Sequence, residues 1–333
     1  MKKIQLSLAI SSILSDRITP FIDGTVDIDG INFAVTSVHP SEIFWRQLKF
    51  KEFDVSEMSL ASLCIANSKG DDSWVGLPIF TSRKFFHTWI LVTADSGIEK
   101  PIDLKGKRVG VAEYQQTSAL WSRGVLQHEF GVYPEDIEWY MERSDEKSHG
   151  GSTDFQPPSN INFNKIPPNE SIGSMLISGK LDASLNFLND KNLVDKYGAD
   201  VTEDSRVRTL FPNPDQEGIR YYQKTGIFPI NHCIAIKRSV YEKHPWIALN
   251  IFKAFQSVKE KAHSRKLKML EAYFELGLLS DDVREVVETD LFPYGIKSNQ
   301  KEIEAITQFL YEQKLTEKKI SLEDVFSVNT LDL

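Results

Sequence analysis

Short apolar runs alternate with amphipathic helical segments along most of the chain. Between Ile4 and Ile10 the larger apolar side chains occupy every second position, which predicts a β-strand. Similar signals predict further strands near 31–35, 53–55, 89–93, 108–111 and 233–236. Helices are predicted to begin near Pro40, Thr117 and Pro245. Strands that alternate with helices are typical of α/β domains with mainly parallel sheets, so we expect that class.

The order of these segments predicts two lobes. A polar turn at 95–97 follows one strand, and a new strand, loop and helix begin at Arg108. The strand near 233–236 can return the chain to the first lobe. Between residues 143 and 168 the composition changes to Ser, Gly, Asn and Pro, which predicts a long loop without a catalytic motif.

Composition narrows the choice of partners and compartments. The 333 residues carry 39 Lys+Arg and 47 Asp+Glu, a net charge of −8, which disfavours nucleic acid as a partner. Two distant cysteines, Cys64 and Cys233, exclude a disulfide framework or a Cys-rich zinc site and fit a reducing compartment. The N-terminal alternation argues against a secretory signal, and no apolar run approaches the ~18 residues that span a bilayer. We therefore expect a cytoplasmic protein without a membrane partner.

Polar residues beside the predicted strands are the candidates for chemistry, because ligands in open α/β sheets bind beyond the carboxyl ends of strands. Five such clusters lie at 15–17, 56–59, 82–87, 113–117 and 226–232. The chain contains no HExxH, GxGxxG, P-loop or GxSxG motif that would specify a zincin, dinucleotide, nucleotide or esterase site.

Each candidate also has a structural interpretation. Asp16 and Arg17 can form a local ion pair in a turn, and Glu57 can cap the helix that follows its strand. Arg83 can belong to a solvated basic edge, or its planar guanidinium can bind a carboxylate. His87 and His232 can be packed histidines or proton carriers. From the residues alone we expect a two-lobe α/β protein that binds an anionic ligand.

Several long strings, in order along the whole chain, resemble the 4,5-dihydroxyphthalate decarboxylase family. They lie at 16–17 with 21–24, at 53–60, 106–111, 113–115, 126–132, 225–230 and 292–295, and the resemblance continues to 330–332. It implies a type II periplasmic-binding-protein-like fold with a ligand cleft between the lobes. Lobe one would comprise residues 1–93 and 235–333, and lobe two residues 94–234.

The chain departs from the family pattern at three places. A Pro-rich turn with an Arg is expected after the strand at 181–183, but this chain has an Asn- and Asp-containing loop at 186–190. That change would remove one contact to a substrate carboxylate. Gln116 and Asn231 stand where apolar or thioether side chains are expected.

The resemblance implies decarboxylation of a hydroxylated aromatic dicarboxylic acid, in a pathway of phthalate degradation, without a cofactor. The ring would act as its own electron sink while a base takes a phenolic proton and an acid protonates the ring carbon. His87 and His232 are predicted to transfer protons, with Glu57 or Glu113 orienting one of them. The predicted substrate-binding residues are Asp16, Arg17, Arg83, Tyr114, Gln115, Thr117 and Arg123. Of these, Arg17 and Arg83 would clamp carboxylates, with Arg123 as a third, and Tyr114 and Gln115 would contact the hydroxyls.

The predicted geometry is specific: Arg17, Glu57, Arg83, His87 and His232 should surround one interlobe cleft. The alternative function is a solute-binding or sensor protein that closes on a small aromatic or anionic ligand without chemistry. No metal ligands are predicted, although a divalent metal held by His and Glu across the cleft stays open, as does a homo-oligomer.

Overall fold

The computed structural model describes residues 3–13, 15–150, 153, 155–196, 198 and 200–333. Its strands are β1 (Ile4–Ser11), β2 (Ile31–Val38), β3 (Val55–Ser59), β4 (Trp74–Arg83), β5 (Leu91–Thr93), β6 (Arg108–Val111), β7 (Glu138–Met141), β8 (Asn162–Lys165), β9 (Ala183–Leu185), β10 (Val207–Thr209) and β11 (Ile230–Lys237). Its helices are α1 (Thr19–Ile22), α2 (Pro40–Phe50), α3 (Leu60–Ser68), α4 (Thr117–Phe130), α5 (Ile172–Ile177), α6 (Pro214–Thr225), α7 (Arg238–Lys243), α8 (Trp246–Glu275), α9 (Asp281–Glu288), α10 (Gln300–Glu312) and α11 (Leu322–Val325).

The strands form two mixed sheets. The first has the order β2-β1-β3-β11-β4, and the second has the order β10-β5-β9-β6-β7-β8. Pairs between strands linked by helical crossovers are parallel, as in β1 with β2 and β6 with β7. Every antiparallel pair of these strands includes β5 or β11: β5 pairs with β9 and β10, and β11 pairs with β3 and β4. β5 and β11 are the strands that the chain enters when it passes from one sheet to the other. The alternation of strands and helices predicted mainly parallel sheets, and these passages explain the difference.

The chain passes from the first sheet to the second between Arg83 and Leu91, and returns between Thr209 and Ile230. The predicted lobe limits, after residues 93 and 234, would cut β5 from β6 and divide β11. We therefore propose that the lobe limits lie in these two connections. Within the predicted loop at 143–168, the short strand β8 extends the second sheet, while residues 151, 152 and 154 lie outside the described part of the chain.

Strand β3 and helix α3 of the first lobe lie in a dense core, and a close contact joins α4 of the second lobe to α10. β3 is buried at every position, and α3 is buried at its first seven, because each is covered on both faces. Gly124 of α4 lies so close to α10 that a Cβ atom there would stand 2.2 Å from the ring of Phe309. This close approach fixes the C-terminal helix α10 against the helix that begins at the cleft.

After β11 the described chain is largely helical, and its longest helix, α8, begins beside the predicted start at Pro245 and is buried only in its N-terminal part. The buried residues of α8 all precede His263, and α9 has none. None of the helices in the described part of the chain has the length and hydropathy that crossing a bilayer requires.

Candidate functional site

A cavity of about 330 Å³ opens between the two sheets, within the usual size range of small-molecule sites. The first lobe contributes the start of α2, the end of β3 and residues 82–84, and β11 contributes Asn231 and His232. The second lobe contributes the start of α4, Arg143, His149 and residues 186–188. Phe44, Phe86 and Trp89 supply apolar surface. We call this cavity the cleft.

A buried carboxylate and an imidazole form a dyad at the wall of the cleft. Glu57 on β3 is paired in register with Ile234 on the neighbouring antiparallel strand β11, so His232 is its diagonal neighbour on the same face. The Glu57 Oε1 atom lies 2.9 Å from His232 Nδ1. The side chains are 1% and 11% exposed, and only that of His232 lines the cleft. The sheet register therefore places a histidine at the cleft with a carboxylate behind it.

Glu57 is held as a carboxylate by three donors. Its oxygens also accept hydrogen bonds from the backbone amide of Ser11 at 2.8 Å and from Thr81 Oγ1 at 2.6 Å. Burial raises the pKa of Glu57, but the hydrogen bonds from His232, Thr81 and Ser11 outweigh it, and the pKa lies below its usual value. Glu57 therefore keeps its negative charge directly behind the imidazole.

The hydrogen bonds also fix the orientation of His232. Because an ionised Glu57 can only accept, Nδ1 of His232 carries a proton and donates it. The other nitrogen, Nε2, lies 2.8 Å from the side-chain amide of Asn231. That amide donates through Nδ2 to a neutral ring and, turned over, accepts through Oδ1 from a protonated one. The ring packs edge-on against Phe44 with centroids 4.7 Å apart. The dyad thus presents Nε2 as the nitrogen that can exchange a proton in the cleft.

The start of α4 supplies unpaired donors to the opposite wall. The helix predicted to begin near Thr117 has Thr117 as its first residue. The Thr117 hydroxyl accepts from the Ala61 amide at 2.9 Å and contacts Ser59 Oγ. The cap residue Gln116 is 8% exposed, and its Nε2 has no partner among the described residues. The backbone amides of Thr117 and Ser118 likewise have no acceptor in the described part of the chain. A helix N-terminus with free donors favours an anion.

A second buried cluster joins the lobes beside the cleft. Arg143 donates to Asp195 at 2.6 Å, to Ser41 Oγ on α2 at 2.8 Å and to His149 Nε2 at 3.1 Å. His149 Nδ1 in turn donates to Ser62 Oγ on α3 at 2.8 Å. Burial lowers the pKa of His149 to about 4, so its imidazole stays neutral at physiological pH. Each guanidinium nitrogen of Arg143 has a partner, so this side chain orders the wall.

The cation that stays available at the mouth of the cleft is Lys84. Its Nζ lies 4.0 Å from the centroid of the Trp89 ring, and no carboxylate of the described residues pairs with it. Burial lowers the pKa of Lys84. Among the described residues of the lining, Asp190 is the one acidic side chain, and it lies 3.6 Å from His39 Nε2. The charge balance of the described lining therefore favours an anionic ligand.

The predicted clamp arginines lie outside the cleft or face away from it. The guanidinium of Arg83 donates to the carbonyls of Phe228 and Pro293 and to Asn299, so it ties loops of the first lobe together. Arg17 stacks on the ring of Phe292, 3.8 Å from its centroid. These contacts, together with the Glu302 carboxylate 3.5 Å from Arg83 Nη1, hold both guanidinium groups within the first lobe and turned away from the cleft.

Asp16 and His87 are also placed elsewhere. Asp16 pairs with Lys266 of α8 at 3.2 Å. The side chain of His87 is 1% exposed, packs beside Tyr221 and Phe211, and lies 3.2 Å from the carboxylate of Glu217. His87 therefore belongs to the packing of α6 on the crossover segment. Of the five residues predicted to surround the cleft, His232 and Arg83 contribute to its lining, and Glu57 lies directly behind His232.

The predicted residues at 113–115 and Arg123 form the support behind the α4 wall. Glu113 accepts from the amide of His149 at 2.9 Å and so orders the turn that carries it. Tyr114 is fully buried among aromatic rings, with the Arg123 guanidinium 3.8 Å from its ring centroid. Gln115 accepts from Thr153 Oγ1 at 3.0 Å. None of these four side chains lines the cleft.

Sequence reasoning did not select Arg143 and His149, although a signal exists. Arg143 comes two residues after β7, at the carboxyl end of a parallel strand, where the rule used for the other clusters applies. β7 is only four residues long and was not among the predicted strands. Within the described residues, no three His, Cys, Asp or Glu side chains group as metal ligands.

The two mixed sheets with a cleft between them define a two-lobe protein of the type II periplasmic-binding-protein-like fold. The alkanesulfonate-binding protein SsuA from Xanthomonas axonopodis pv. citri, solved with MOPS bound, is similar in fold, with a TM-score of 0.54. The alignment covers 98% of this chain and 99% of that one at 14% identity. No family model matches the chain.

The chain belongs to the 4,5-dihydroxyphthalate decarboxylase family, a family of decarboxylases. It is 36% identical over 183 residues to the 4,5-dihydroxyphthalate decarboxylase of Pseudomonas putida, covering 55% of this chain and 70% of that protein. It is 29% identical over 335 aligned positions to the enzyme of the same name from Comamonas testosteroni, covering 100% and 99% of the two chains. The family resemblance and the fold predicted from the sequence are thus confirmed.

Proposed function

We propose that this decarboxylase removes one carboxylate from a hydroxylated aromatic dicarboxylic acid, with 4,5-dihydroxyphthalate as substrate and 3,4-dihydroxybenzoate and CO₂ as products. The observation that carries the proposal is the Glu57–His232 dyad, which holds a protonatable nitrogen at a cleft lined with anion-binding donors. The relatives named for this substrate support the same choice.

The substrate carboxylates would bind the donors at the two ends of the cleft. One would meet the amides of Thr117 and Ser118 and the Gln116 side chain, and the other would meet the Lys84 ammonium. The flat ring would lie against Phe44 and the other apolar lining. With both carboxylates held, the ring carbon that carries the leaving group can be placed beside His232.

The chemistry would proceed by protonation of that carbon. The His232 imidazolium gives its Nε2 proton to the ring carbon, and the hydroxyl para to it stabilises the positive charge in the ring. The bond to the carboxylate then breaks, its electron pair restores the aromatic ring, and CO₂ leaves. His232 is left neutral and takes a proton from water, so one proton is consumed for each CO₂ released. Glu57 lowers the energy of the charged imidazole throughout.

The test is direct. Purified protein is incubated with 4,5-dihydroxyphthalate, and 3,4-dihydroxybenzoate is measured by liquid chromatography; in D₂O the product should carry deuterium at the vacated carbon. His232→Asn should lose at least about 100-fold in kcat. His128→Asn is the matched control, because His128 lies on the surface of α4 and pairs with Glu312. Product formation that survives His232→Asn would remove the dyad from the mechanism.

The alternative is a binding protein that closes on an aromatic anion without chemistry. The fold and the anion-binding start of α4 suit that role equally well. Saturable binding of 4,5-dihydroxyphthalate by calorimetry, with no product after prolonged incubation, would favour the binding protein and reject the enzyme.

A further inference from the structure

The second half of α8 carries an apolar stripe that nothing in the described chain covers. No residue between 263 and 291 is buried, and we call this segment of α8, α9 and their connection the arm. On the arm, Met269, Tyr273 and Leu276 are 75%, 51% and 74% exposed. Their spacing of four and three residues places all three on one face of the helix. A contiguous exposed patch of large apolar side chains marks an interaction surface.

The opposite face of α8 is occupied within the chain. Leu267 and Leu270 line a narrow space together with Val287 of α9. The guanidinium of Arg284 on α9 lies 4.2 Å from the centroid of the Phe274 ring. α9 thus covers the inner apolar face and leaves the stripe at 269, 273 and 276 outward.

Charges flank the stripe in opposite senses at its two ends. Arg265 and Lys268 precede it and are exposed. Glu275, one residue before Leu276, and Asp281, the first residue of α9, lie at and beyond its C-terminal end and are exposed. None of these four is in an ion pair within the described chain. An antiparallel neighbour with the same sequence would place its acidic end beside the basic end of this helix. The stripe is therefore complementary to itself.

We infer that the arm is a homodimerisation surface, on which α8 pairs antiparallel with α8 of a second copy about a two-fold axis. An axis between residues 272 and 273 places Met269 opposite Leu276 of the second copy, and Arg265 and Lys268 beside its acidic end. Ala272 lies at the axis, where its small side chain allows the helices to approach closely. This inference is independent of the proposed function.

Cysteine cross-linking tests the register. In the variant Met269→Cys/Leu276→Cys the two thiols lie about 10 Å apart on one helix, too far for an internal disulfide, which needs Cα atoms within ~7 Å. Across the two-fold axis they are opposite each other, so mild copper-phenanthroline oxidation should give a dimer on non-reducing gels. Met269→Cys alone is the control and should stay monomeric on the gel. Cys64 and Cys233 are buried and do not interfere.

A charge exchange provides a second, independent measurement. Arg265→Glu/Lys268→Glu and Glu275→Lys/Asp281→Lys should each sediment as monomers, and an equal mixture of the two should recover the dimer. Misfolding would not be rescued by mixing, so recovery identifies the antiparallel contact. Wild-type protein that sediments as a monomer at all micromolar concentrations, or a double-cysteine variant that does not cross-link, would overturn the inference.

Discussion

The substitution Glu57→Gln probes the dyad from its buried end without touching the cleft lining. Oε1 of Glu57 accepts from His232 and Thr81, and Oε2 accepts from the Ser11 amide. In Gln, one of these positions becomes an NH₂ group. At the Oε2 position it would face the N–H of Ser11, and at the Oε1 position it would force Nδ1 of His232 to accept. Either way, the negative charge behind the imidazole is lost.

The size of the effect follows from that lost charge. A buried hydrogen bond to a charged group contributes about 1.5 to 3 kcal/mol, which corresponds to a decrease of about 10- to 100-fold in kcat. KM should change little, because the Glu57 side chain is only 1% exposed and does not reach the substrate. Thr81→Val is the matched control, since it removes one donor to Glu57 and keeps the charge, and it should cost less than about tenfold.

The assay is steady-state formation of 3,4-dihydroxybenzoate, with far-ultraviolet circular dichroism to show that each variant is folded. A folded Glu57→Gln protein with a kcat near that of wild type would refute the role of the carboxylate. A rise in KM alone would also contradict it, because that result would mean that Glu57 acts on substrate binding.

Stability against pH gives a further check on the same residue. The pKa of Glu57 is lowered in the folded protein, so the unfolded chain binds the proton more tightly. The stabilisation from the carboxylate is therefore present above the usual Glu pKa of 4.5 and is lost as the pH falls below it. The difference in unfolding free energy between wild type and Glu57→Gln should shrink on acidification below pH 4.5.

Three further substitutions test which residues bind the substrate in the cleft and which only stabilise the fold around it. Lys84→Met should raise KM about tenfold with little change in kcat, because it removes the ammonium group that binds one substrate carboxylate. A tenfold change corresponds to ~1.4 kcal/mol of binding free energy. An unchanged KM would exclude Lys84 from substrate binding. His87→Asn should lower the unfolding free energy by about 1 to 3 kcal/mol through loss of the Glu217 contact, and leave kcat unchanged; a large loss of kcat in folded protein would return His87 to the catalytic set. Arg83→Lys should destabilise by about 3 kcal/mol in a denaturant melt and leave KM unaltered, because its guanidinium holds carbonyl groups of the first lobe; a stable variant with raised KM would restore it as a clamp.

The sequence predicted the fold well because strand and helix periodicity is a local property. It also predicted that Glu57 and His232 would lie together at the cleft. The structure brings them together because they lie in β3 and β11, which pair antiparallel. The partners of the arginines and of His87 could not be predicted in the same way. Arg83 donates to the carbonyls of Phe228 and Pro293, which are 145 and 210 residues away along the chain.

The omission of His149 has a different cause. Its surroundings are rich in Ser, Gly and Pro, and such composition predicts an irregular loop whatever the loop does. The turn is ordered by Glu113, whose carboxylate accepts from the amide of His149 and from Ser148. That contact joins segments about 35 residues apart, so it depends on the parallel neighbours β6 and β7 and on no local signal.

Three side-chain hydrogen bonds join the lobes beside the cleft, and they contribute to the energy that opening the cleft would require. Ser41 with Arg143, Ser62 with His149 and Ser59 with Thr117 pair side chains of the two lobes directly. Hydrogen bonds of this kind contribute about 1 kcal/mol each, so together they bias the lobes towards contact without locking them. Under the proposed function, opening of the cleft would break these three bonds, whereas α10 and α4 stay packed together through Phe309 and Gly124. Hydroxyl groups at the boundary between the lobes, and not the proton-transferring imidazole, would then set the energy needed to open the cleft.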